Sequence, residues 1–379
     1  MRARPEAVRR ALIAHLGLAA RERRSFAQTV AALGAVQMDP MRIVAPAHLL
    51  TLRLRRGPTS EVAFSRTLAS GAVFEARLKE RCIVAAQDLP AAVPQFARAR
   101  AEGLLVKRGL EGIAAEIITE ISRGARYSRE LGTEHRVASF WDENPASMKA
   151  TTMALDILAY EGRVIVCGRR RGERRYDLPE RLFPAWERTI GDRTDARIAA
   201  ALHYGRTMGV FLATDPYLGW SMEDASARRA LAQELCASGE WEELHIDGVE
   251  RPYLCTRDVA QLLADPSPVR GVQILAPLDN LLWDRRRLRD LFDFDYKWEA
   301  YTPAAQRQVG PYGMPVLLDG RLVAELDARR DQEGVLRFRI AARTRLRAAE
   351  DRRIAHAAER LASDLGTTAL AQQVPAAVR

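Results

Sequence analysis

Cysteine is scarce in this chain, and long apolar runs are missing. The four cysteines are Cys82, Cys167, Cys236 and Cys255. Because their positions are scattered, the sequence argues against a zinc site and a disulfide framework and predicts a reducing compartment, the cytoplasm. No stretch approaches about 18 consecutive apolar residues, which argues against a membrane span. The N-terminal residues 1–5 are not followed by the apolar run of a signal peptide, so none is expected.

Lysine is almost absent, so arginine carries nearly all of the positive charge. Only four of the 58 basic residues are lysines, and the 49 acidic residues leave a net charge of +9 in 379 residues. Arginine is always charged and can bind phosphate through two parallel hydrogen bonds. The charge balance therefore favours a nucleic-acid partner. A GC-rich genome would produce the same excess of arginine and alanine, and composition leaves both explanations open.

An amide and a carboxylate stand two residues apart in the segment 36–40. The helix before them is predicted to be capped by Ser25 and to end at Gly34. In an extended backbone the side chains of Gln37 and Asp39 point to one face and Met38 points to the other. The carboxylate can accept a proton or stabilise positive charge, and the amide can orient a water molecule. The pair can thus activate water against a cationic centre. The alternative is a simple turn, because Asp followed by Pro commonly opens one.

Residues 109–184 predict helical segments followed by a β-hairpin with an arginine-rich turn. This order is typical of a winged helix, in which a helix enters the DNA groove and the hairpin contacts phosphates. The alternative is a solvated hairpin tip. The predicted DNA-binding residues are Arg169, Arg170, Arg171, Arg174 and Arg175 of this hairpin, together with Arg53, Arg55 and Arg56 of the first unit.

The rest of the chain predicts more helices and two further β regions. Residues 60–100 are predicted to be helical, and residues 191–262 repeat the helix-then-hairpin order with an acidic hairpin that turns at Asp247-Gly248. Residues 271–342 predict a small antiparallel sheet and residues 346–365 a closing helix, and the tail from Gly366 is expected to fray. His48 could support the site as a ligand or a base, or it could simply cap a helix or pack, and these interpretations stay open.

Several motifs, in the same order, resemble those of the AlkZ/YcaQ family of bacterial DNA glycosylases, and the resemblance covers roughly residues 5–363. They are LGAVQMDP at 33–40 with Ala47-His48, RRGERRYDLPER at 170–181, LAPLDNLLWDRRR at 275–287, LFDFDYKWEAY at 291–301 and GPYGMP at 310–315. The Gln-x-Asp form of the first motif is similar to the YcaQ-like branch of the family.

The resemblance implies an α+β fold, with three tandem winged-helix units and a small β-rich C-terminal domain forming a C around a basic channel. The units are expected at 1–108, 109–188 and 189–268, and the last domain with its terminal helix at 269–379. Two positions depart from the family pattern. Glu75 lacks the aromatic residue and His that often follow it, which puts the preferred lesion in doubt, and Asp156 replaces a common Glu.

The resemblance also implies a function: a monofunctional DNA glycosylase in base excision repair of alkylation damage, with Gln37 and Asp39 as the catalytic pair. Its substrates would be N7-alkylated purines and interstrand crosslinks in double-stranded DNA. A monomer without metal or cofactor is expected. The alternatives are a winged-helix transcriptional regulator and a DNA-binding paralogue without catalysis. A regulator usually has one winged helix per chain in a symmetric dimer, so three units in one chain disfavour it.

Overall fold

The structure is a computed structural model of the chain, and it describes residues 1–132, 135–139, 147–186, 189, 194–220 and 223–371. The α-helices of these residues are α1 (Pro5–His15), α2 (Phe26–Leu33), α3 (Ala47–Arg56), α4 (Glu61–Ala69), α5 (Leu89–Glu102), α6 (Leu104–Lys107), α7 (Glu111–Ser122), α8 (Ala150–Tyr160), α9 (Pro179–Leu182), α10 (Thr194–Met208), α11 (Ala225–Ala237), α12 (Arg257–Ala264), α13 (Arg285–Phe292) and α14 (Ala348–Asp364).

The β-strands are short in the first two thirds of the chain and longer in the last third. They are β1 (Arg2–Ala3), β2 (Ala35–Gln37), β3 (Val73–Arg77), β4 (Arg81–Ala85), β5 (Arg126–Tyr127), β6 (Arg136–Val137), β7 (Met148–Lys149), β8 (Ile165–Arg170), β9 (Glu173–Asp177), β10 (Val210–Phe211), β11 (Trp241–Ile246), β12 (Tyr253–Thr256), β13 (Val272–Ile274), β14 (Gly313–Leu318), β15 (Arg321–Arg330), β16 (Leu336–Ala342) and β17 (Ala369–Ala371). Helices and small sheets thus alternate along one chain, and the predicted α+β class is confirmed.

Three segments, at 26–85, 111–177 and 194–256, share one order of elements. Each begins with a helix, continues through a short strand and further helical segments, and ends with an antiparallel hairpin. In each segment the short strand pairs with the second strand of the hairpin: β2 with β4, β5 with β9, and β10 with β12. The hairpins predicted around residues 169–174 and 247–248 are present, because glycine-containing turns let the chain reverse direction there.

The N-terminus does not stay with the first of these segments. Strand β1 runs parallel to β11 and extends the third sheet to the order β1-β11-β12-β10. The buried face of α1, including Leu12, joins an apolar cluster with Leu244 and Tyr253 of that sheet. The first residues of the predicted unit 1–108, β1 and α1, therefore pack against the third segment and not against the first. The domain limits themselves stay predictions, and the one at residue 188 lies outside the described residues.

Residues 60–100 correct a sequence-based expectation, because they are not helical throughout. After α4, strands β3 and β4 form a hairpin that pairs with β2 in the order β2-β4-β3. The side chains of β4 are buried on both faces, and Cys82, Ile83 and Val84 are fully buried. A short apolar run buried on both faces does not reveal by its periodicity whether it is a helix or a strand.

The C-terminal domain is a five-stranded sheet in the order β13-β14-β15-β16-β17. Helix α14 packs on this sheet through Ile354, Ala358 and Leu361. Strand β17 runs parallel to β16, so the expectation that the tail frays from Gly366 is wrong for residues 369–371. Among the helices that the structure describes, none is long and apolar enough to cross a membrane.

Candidate functional site

The candidate pair Gln37 and Asp39 lies at the end of strand β2, at the surface of the first segment. Ser25 caps the preceding helix α2 with a reciprocal bond to Gln28, as the sequence predicted. Gly34 then takes a φ of +72°, and a Cβ at this position would overlap the hydroxyl of Thr207 on α10. A glycine is therefore required where β2 begins. Gln37 and Asp39 are both half-buried.

The pairing of β2 with β4 fixes the backbone around the pair. Gln37 lies opposite Cys82, and the Met38 N–H donates to the carbonyl of Arg81 at 2.8 Å. Met38 is 9% exposed, so its side chain enters the core while its two neighbours reach the surface. This agrees with the alternation that an extended backbone imposes.

One oxygen of Asp39 holds the loop that leads to α3. Its Oδ1 accepts the N–H of Met41 at 2.7 Å. Burial raises the pKa of the Asp39 carboxyl, and this hydrogen bond lowers it by a smaller amount. The carboxyl is thus positioned by its own backbone, and its environment favours the neutral form more than water does.

Asn280 of the 275–287 motif holds the start of β2. Its side-chain amide donates to the carbonyls of Ala35 at 2.9 Å and Leu33 at 3.4 Å, and the residue is fully buried. Arg287, also fully buried, donates to the carbonyls of Asn280 and Leu281. The 275–287 motif therefore positions strand β2, which leads to the candidate pair.

Arg53 and Arg55 do not face DNA, which corrects the prediction for these two residues. Arg55 is 4% exposed and donates to the carboxylate of Asp279 at 2.5 and 3.0 Å. Arg53 is 5% exposed and pairs with Asp364 at 2.6 Å. Both charges are paired across the contact between α3 and the C-terminal domain, so removing one partner would leave the other without its counter-charge. Arg56 is half-buried and stays a prediction.

The arginines of the hairpin β8–β9 divide between two faces. Arg169 and Arg174 lie opposite each other in the sheet. Arg169 donates to Glu75 of β3 at 2.6 Å, and Arg174 donates to Asp156 of α8 at 2.6 Å. Both arginines are therefore paired with carboxylates of the chain. Glu75, whose following residues differ from the family pattern, ties the hairpin to β3.

The other three hairpin arginines are exposed: Arg170, Arg171 and Arg175. The guanidinium of Arg170 makes a cation–π contact with Tyr127, 4.1 Å from the ring centroid. The tip of the hairpin also adjoins the loop after Asp39. A Cβ built on Gly172 would lie 3.4 Å from Nη2 of Arg42. The hairpin tip therefore lies near the loop that follows Asp39. Arg42 of this loop, which pairs with Glu61 at 2.9 Å, is a basic residue that the sequence analysis missed.

His48 lies in the interior, and its ring centroid is 5.1 Å from that of Phe64. The residue is 4% exposed, and neither ring nitrogen has a partner among the residues that the structure describes. Burial, reinforced by the charges of Arg169 and Arg42, lowers the pKa of His48 to about 3. The ring is neutral at physiological pH, which matches the packing interpretation. A role for His48 in support of the site stays a prediction.

The opposite side of the pair belongs to the C-terminal domain. The hydroxyl of Tyr312 donates to the carbonyl of Ala45, in the loop after Asp39, at 3.2 Å. Burial and then the charge of Asp39 raise the pKa of Tyr312. Partial desolvation and then the charges of Asp39 and Glu80 raise the pKa of Tyr301. The candidate site thus lies where the first segment, the hairpin of the second segment and the C-terminal domain meet.

The described residues contain no group of three or more His, Cys, Asp or Glu side chains placed to hold a metal ion. The functional groups that the site offers are therefore the carboxylate of Asp39, the amide of Gln37, the exposed guanidinium groups and the two tyrosines. This set can place a negative charge and a polarised water against a substrate that the arginines hold by its phosphates.

Comparison with known proteins identifies the family. A sequence model of the family described as DNA glycosylase AlkZ-like matches residues 30–363. The solved structure of the Streptomyces sahachiroi DNA glycosylase AlkZ has a similar fold, with a TM-score of 0.69, 17% sequence identity, and coverage of 99% of this chain and 100% of that chain. The family match covers well over half of the sequence and agrees with the resemblance of its motifs. The chain belongs to the AlkZ-like family of DNA glycosylases.

Proposed function

We propose that this DNA glycosylase hydrolyses the N-glycosidic bond of cationic N7-alkylated purines in double-stranded DNA, with Asp39 and Gln37 as its catalytic pair. The observation that carries the proposal is the backbone at the end of strand β2, where Gln37 and Asp39 are both half-buried and Met38 between them is buried. The strand is fixed by β4 on one edge and by Asn280 at its start. A fixed and half-exposed pair is what hydrolysis of a bound nucleotide needs.

The small number of functional groups suits a cationic substrate. An N7-alkylated purine already carries a positive charge, so it leaves without a general acid. The enzyme has to stabilise the oxocarbenium-like sugar and deliver water. The carboxylate of Asp39 places negative charge beside the developing cation and accepts the proton of the attacking water. The bond from Met41 N–H to Oδ1 leaves acceptor capacity on the carboxylate for this role.

Gln37 orients the attacking water in this proposal. A side-chain amide offers both a donor and an acceptor. The buried Met38 separates the half-buried Gln37 and Asp39, so the alternation of an extended backbone puts both on one face. One water can thus lie between the amide and the carboxylate and face the sugar. This chemistry is complete with the side chains of the chain itself, and neither a metal nor a cofactor is part of the proposal.

DNA binding is assigned to the exposed arginines of the hairpin, Arg170, Arg171 and Arg175, with Arg42 beside the hairpin tip. The repeated order of elements supports three winged-helix units, and the second has a hairpin with exposed arginines whose tip adjoins Arg42. Interstrand crosslinks are proposed as further substrates, because a crosslinked base cannot be flipped into a closed pocket. A half-buried pair at the surface fits such a lesion.

The proposal is tested by incubating the purified chain with duplex DNA that contains a single N7-methylguanine, followed by alkali to cleave abasic sites. Cleavage at the lesion, and none in undamaged duplex, is the expected result. The same assay on a duplex with a defined N7-linked interstrand crosslink tests unhooking separately. Binding of both duplexes without release of any base would identify a DNA-binding paralogue without catalysis.

A further inference from the structure

Tyr301 is a large aromatic side chain that the fold leaves in solvent, on the side of the candidate site that the C-terminal domain forms. It is 77% exposed, and its ring contacts the ring of the half-buried Trp298. Trp298 packs on the apolar cluster that contains Tyr312, and Ala45 from the loop after Asp39 packs on the same cluster. Partial desolvation, and then the charges of Asp39 and Glu80, raise the pKa of Tyr301, which agrees with this placement. A tyrosine exposed to this extent offers a ring face to a ligand.

The loop that carries Tyr301 is built to hold it in place. The buried carboxylate of Glu299 accepts the backbone N–H groups of Gln308 at 2.8 Å, Val309 at 2.9 Å and Gly310 at 3.1 Å. Its low exposure of 6% shows that this clamp is internal. The loop from 299 to 310 is therefore closed by hydrogen bonds within the chain.

The ring of Tyr301 is also supported from one side. Its centroid lies 5.7 Å from that of Trp298, with the ring planes at 78°. This edge-to-face contact orients the phenol ring, and most of its surface remains open to solvent. At the base of the loop, the hydroxyl of Tyr296 donates to the carbonyl of Gly313 at 3.0 Å. The chain thus presents a fixed aromatic face.

We infer that Tyr301 is a substrate-binding residue whose ring stacks on a nucleobase at the lesion and favours a cationic base. Nucleobases bind exposed aromatic rings by stacking, and a positive charge over the ring face adds an electrostatic attraction. Phosphates, which are anionic, have no such affinity for a phenol ring. The inference rests on the proposed function, because it assumes that the alkylated purine is bound beside Asp39.

The test uses the full chain and three substitutions of one residue. Tyr301→Phe keeps the ring, Tyr301→Leu keeps an apolar side chain without a ring face, and Tyr301→Ala removes both. Single-turnover excision of N7-methylguanine is measured at limiting enzyme concentration, together with the dissociation constant for undamaged duplex. Val106→Ala is the matched control, because Val106 is 64% exposed on α6.

The alanine and leucine variants are expected to lose about tenfold in excision, within the range that base stacking contributes. The phenylalanine variant should stay within about twofold of the wild type, since its ring offers the same face. Affinity for undamaged DNA, thermal stability and the Val106→Ala control should not change. A merely structural role predicts that leucine and phenylalanine behave alike, with lowered stability.

Wild-type excision rates in Tyr301→Ala and Tyr301→Leu would overturn the inference and leave the proposed function intact. A phenylalanine variant as slow as the alanine variant would overturn it as well, because the hydroxyl rather than the ring face would be the important group. If the wild-type chain itself leaves N7-methylguanine in place, the proposed substrate fails, and the stacking interaction fails with it.

Discussion

Replacing Arg55 by methionine is expected to destabilise the fold and to leave the salt dependence of DNA binding unchanged. The side chain is 4% exposed, and it donates to both oxygens of Asp279, which is completely buried. It also donates to the carbonyls of Leu16 and Thr51. Methionine has a similar apolar length but supplies none of these bonds, so the carboxylate of Asp279 would remain in the interior without its counter-charge.

The expected cost is about 3–5 kcal/mol in the free energy of unfolding, the typical result of removing one partner of a buried ion pair. This is a large part of the stability of an ordinary protein, roughly 5–15 kcal/mol. Urea denaturation followed by tryptophan fluorescence measures the loss. The double variant Arg55→Met with Asp279→Leu should recover part of it, because no buried charge is then left unpaired.

The matched variant is Arg175→Met, which removes the same charge from an exposed position of the hairpin. Its stability should stay close to wild type, and the slope of log affinity against log salt should fall by about 0.9 for each DNA phosphate that the protein no longer neutralises. Fluorescence anisotropy with undamaged duplex at several salt concentrations gives both slopes. A lower slope for Arg55→Met, with unchanged stability, would refute the burial of this residue and restore it to the DNA-binding surface.

Three further outcomes are expected. Asn280→Ala should lower the free energy of unfolding by about 1–3 kcal/mol, because the buried carbonyl of Ala35 loses its donor. It should also slow excision of N7-methylguanine, because β2 loses the side chain that holds its start. An unchanged excision rate would show that Asn280 does not position the candidate pair. Gly34→Ala should lower the melting temperature, since the φ of +72° and the close approach of Thr207 reject a Cβ; a melting temperature at or above wild type would contradict this. Because burial raises the pKa of Asp39, the carboxylate is lost as pH falls through a value above that of an ordinary Asp. In a rate–pH profile, excision should decline at a pH above the pKa of an ordinary Asp. A decline only at the ordinary Asp pKa would contradict the role of Asp39 as the catalytic carboxylate.

Local signals in the sequence predicted the elements that depend on local chemistry. The cap at Ser25, the glycine at residue 34 and the hairpin turns near residues 171 and 247 follow from side-chain hydrogen bonds and backbone preferences of a few adjacent residues. The alternation of Gln37, Met38 and Asp39 follows from the geometry of an extended strand. These parts of the fold and of the candidate site therefore could be derived before the structure.

The wrong predictions concern residues whose structure depends on partners far away in the sequence. Arg55 looks like a surface arginine on a basic helix, and its burial depends on Asp279, which is 224 residues away in the sequence. Strands β3 and β4 were expected to be helical, because their pairing with β2 is not visible in the apolar run itself. The clamp of Glu299 and the exposure of Tyr301 were equally hidden, since they depend on how one loop closes.

The measurement that tests the central claim most directly is single-turnover excision of N7-methylguanine by Asp39→Asn. Asparagine keeps the shape and can still accept the N–H of Met41, so the fold and the binding of undamaged duplex should not change. Removing the half-buried charge should leave the melting temperature at or above wild type near neutral pH, because burial already disfavours the charged form. Gln37→Ala should show a smaller loss, because another water can partly replace an orienting amide.

Excision by Asp39→Asn should fall by about a hundredfold or more, which corresponds to roughly 3–4 kcal/mol of lost electrostatic stabilisation of the transition state. An unchanged rate would contradict the account, because asparagine serves equally well as a turn residue before proline. Wild-type excision in this variant would therefore show that residue 39 shapes the loop and that the chemistry is performed elsewhere.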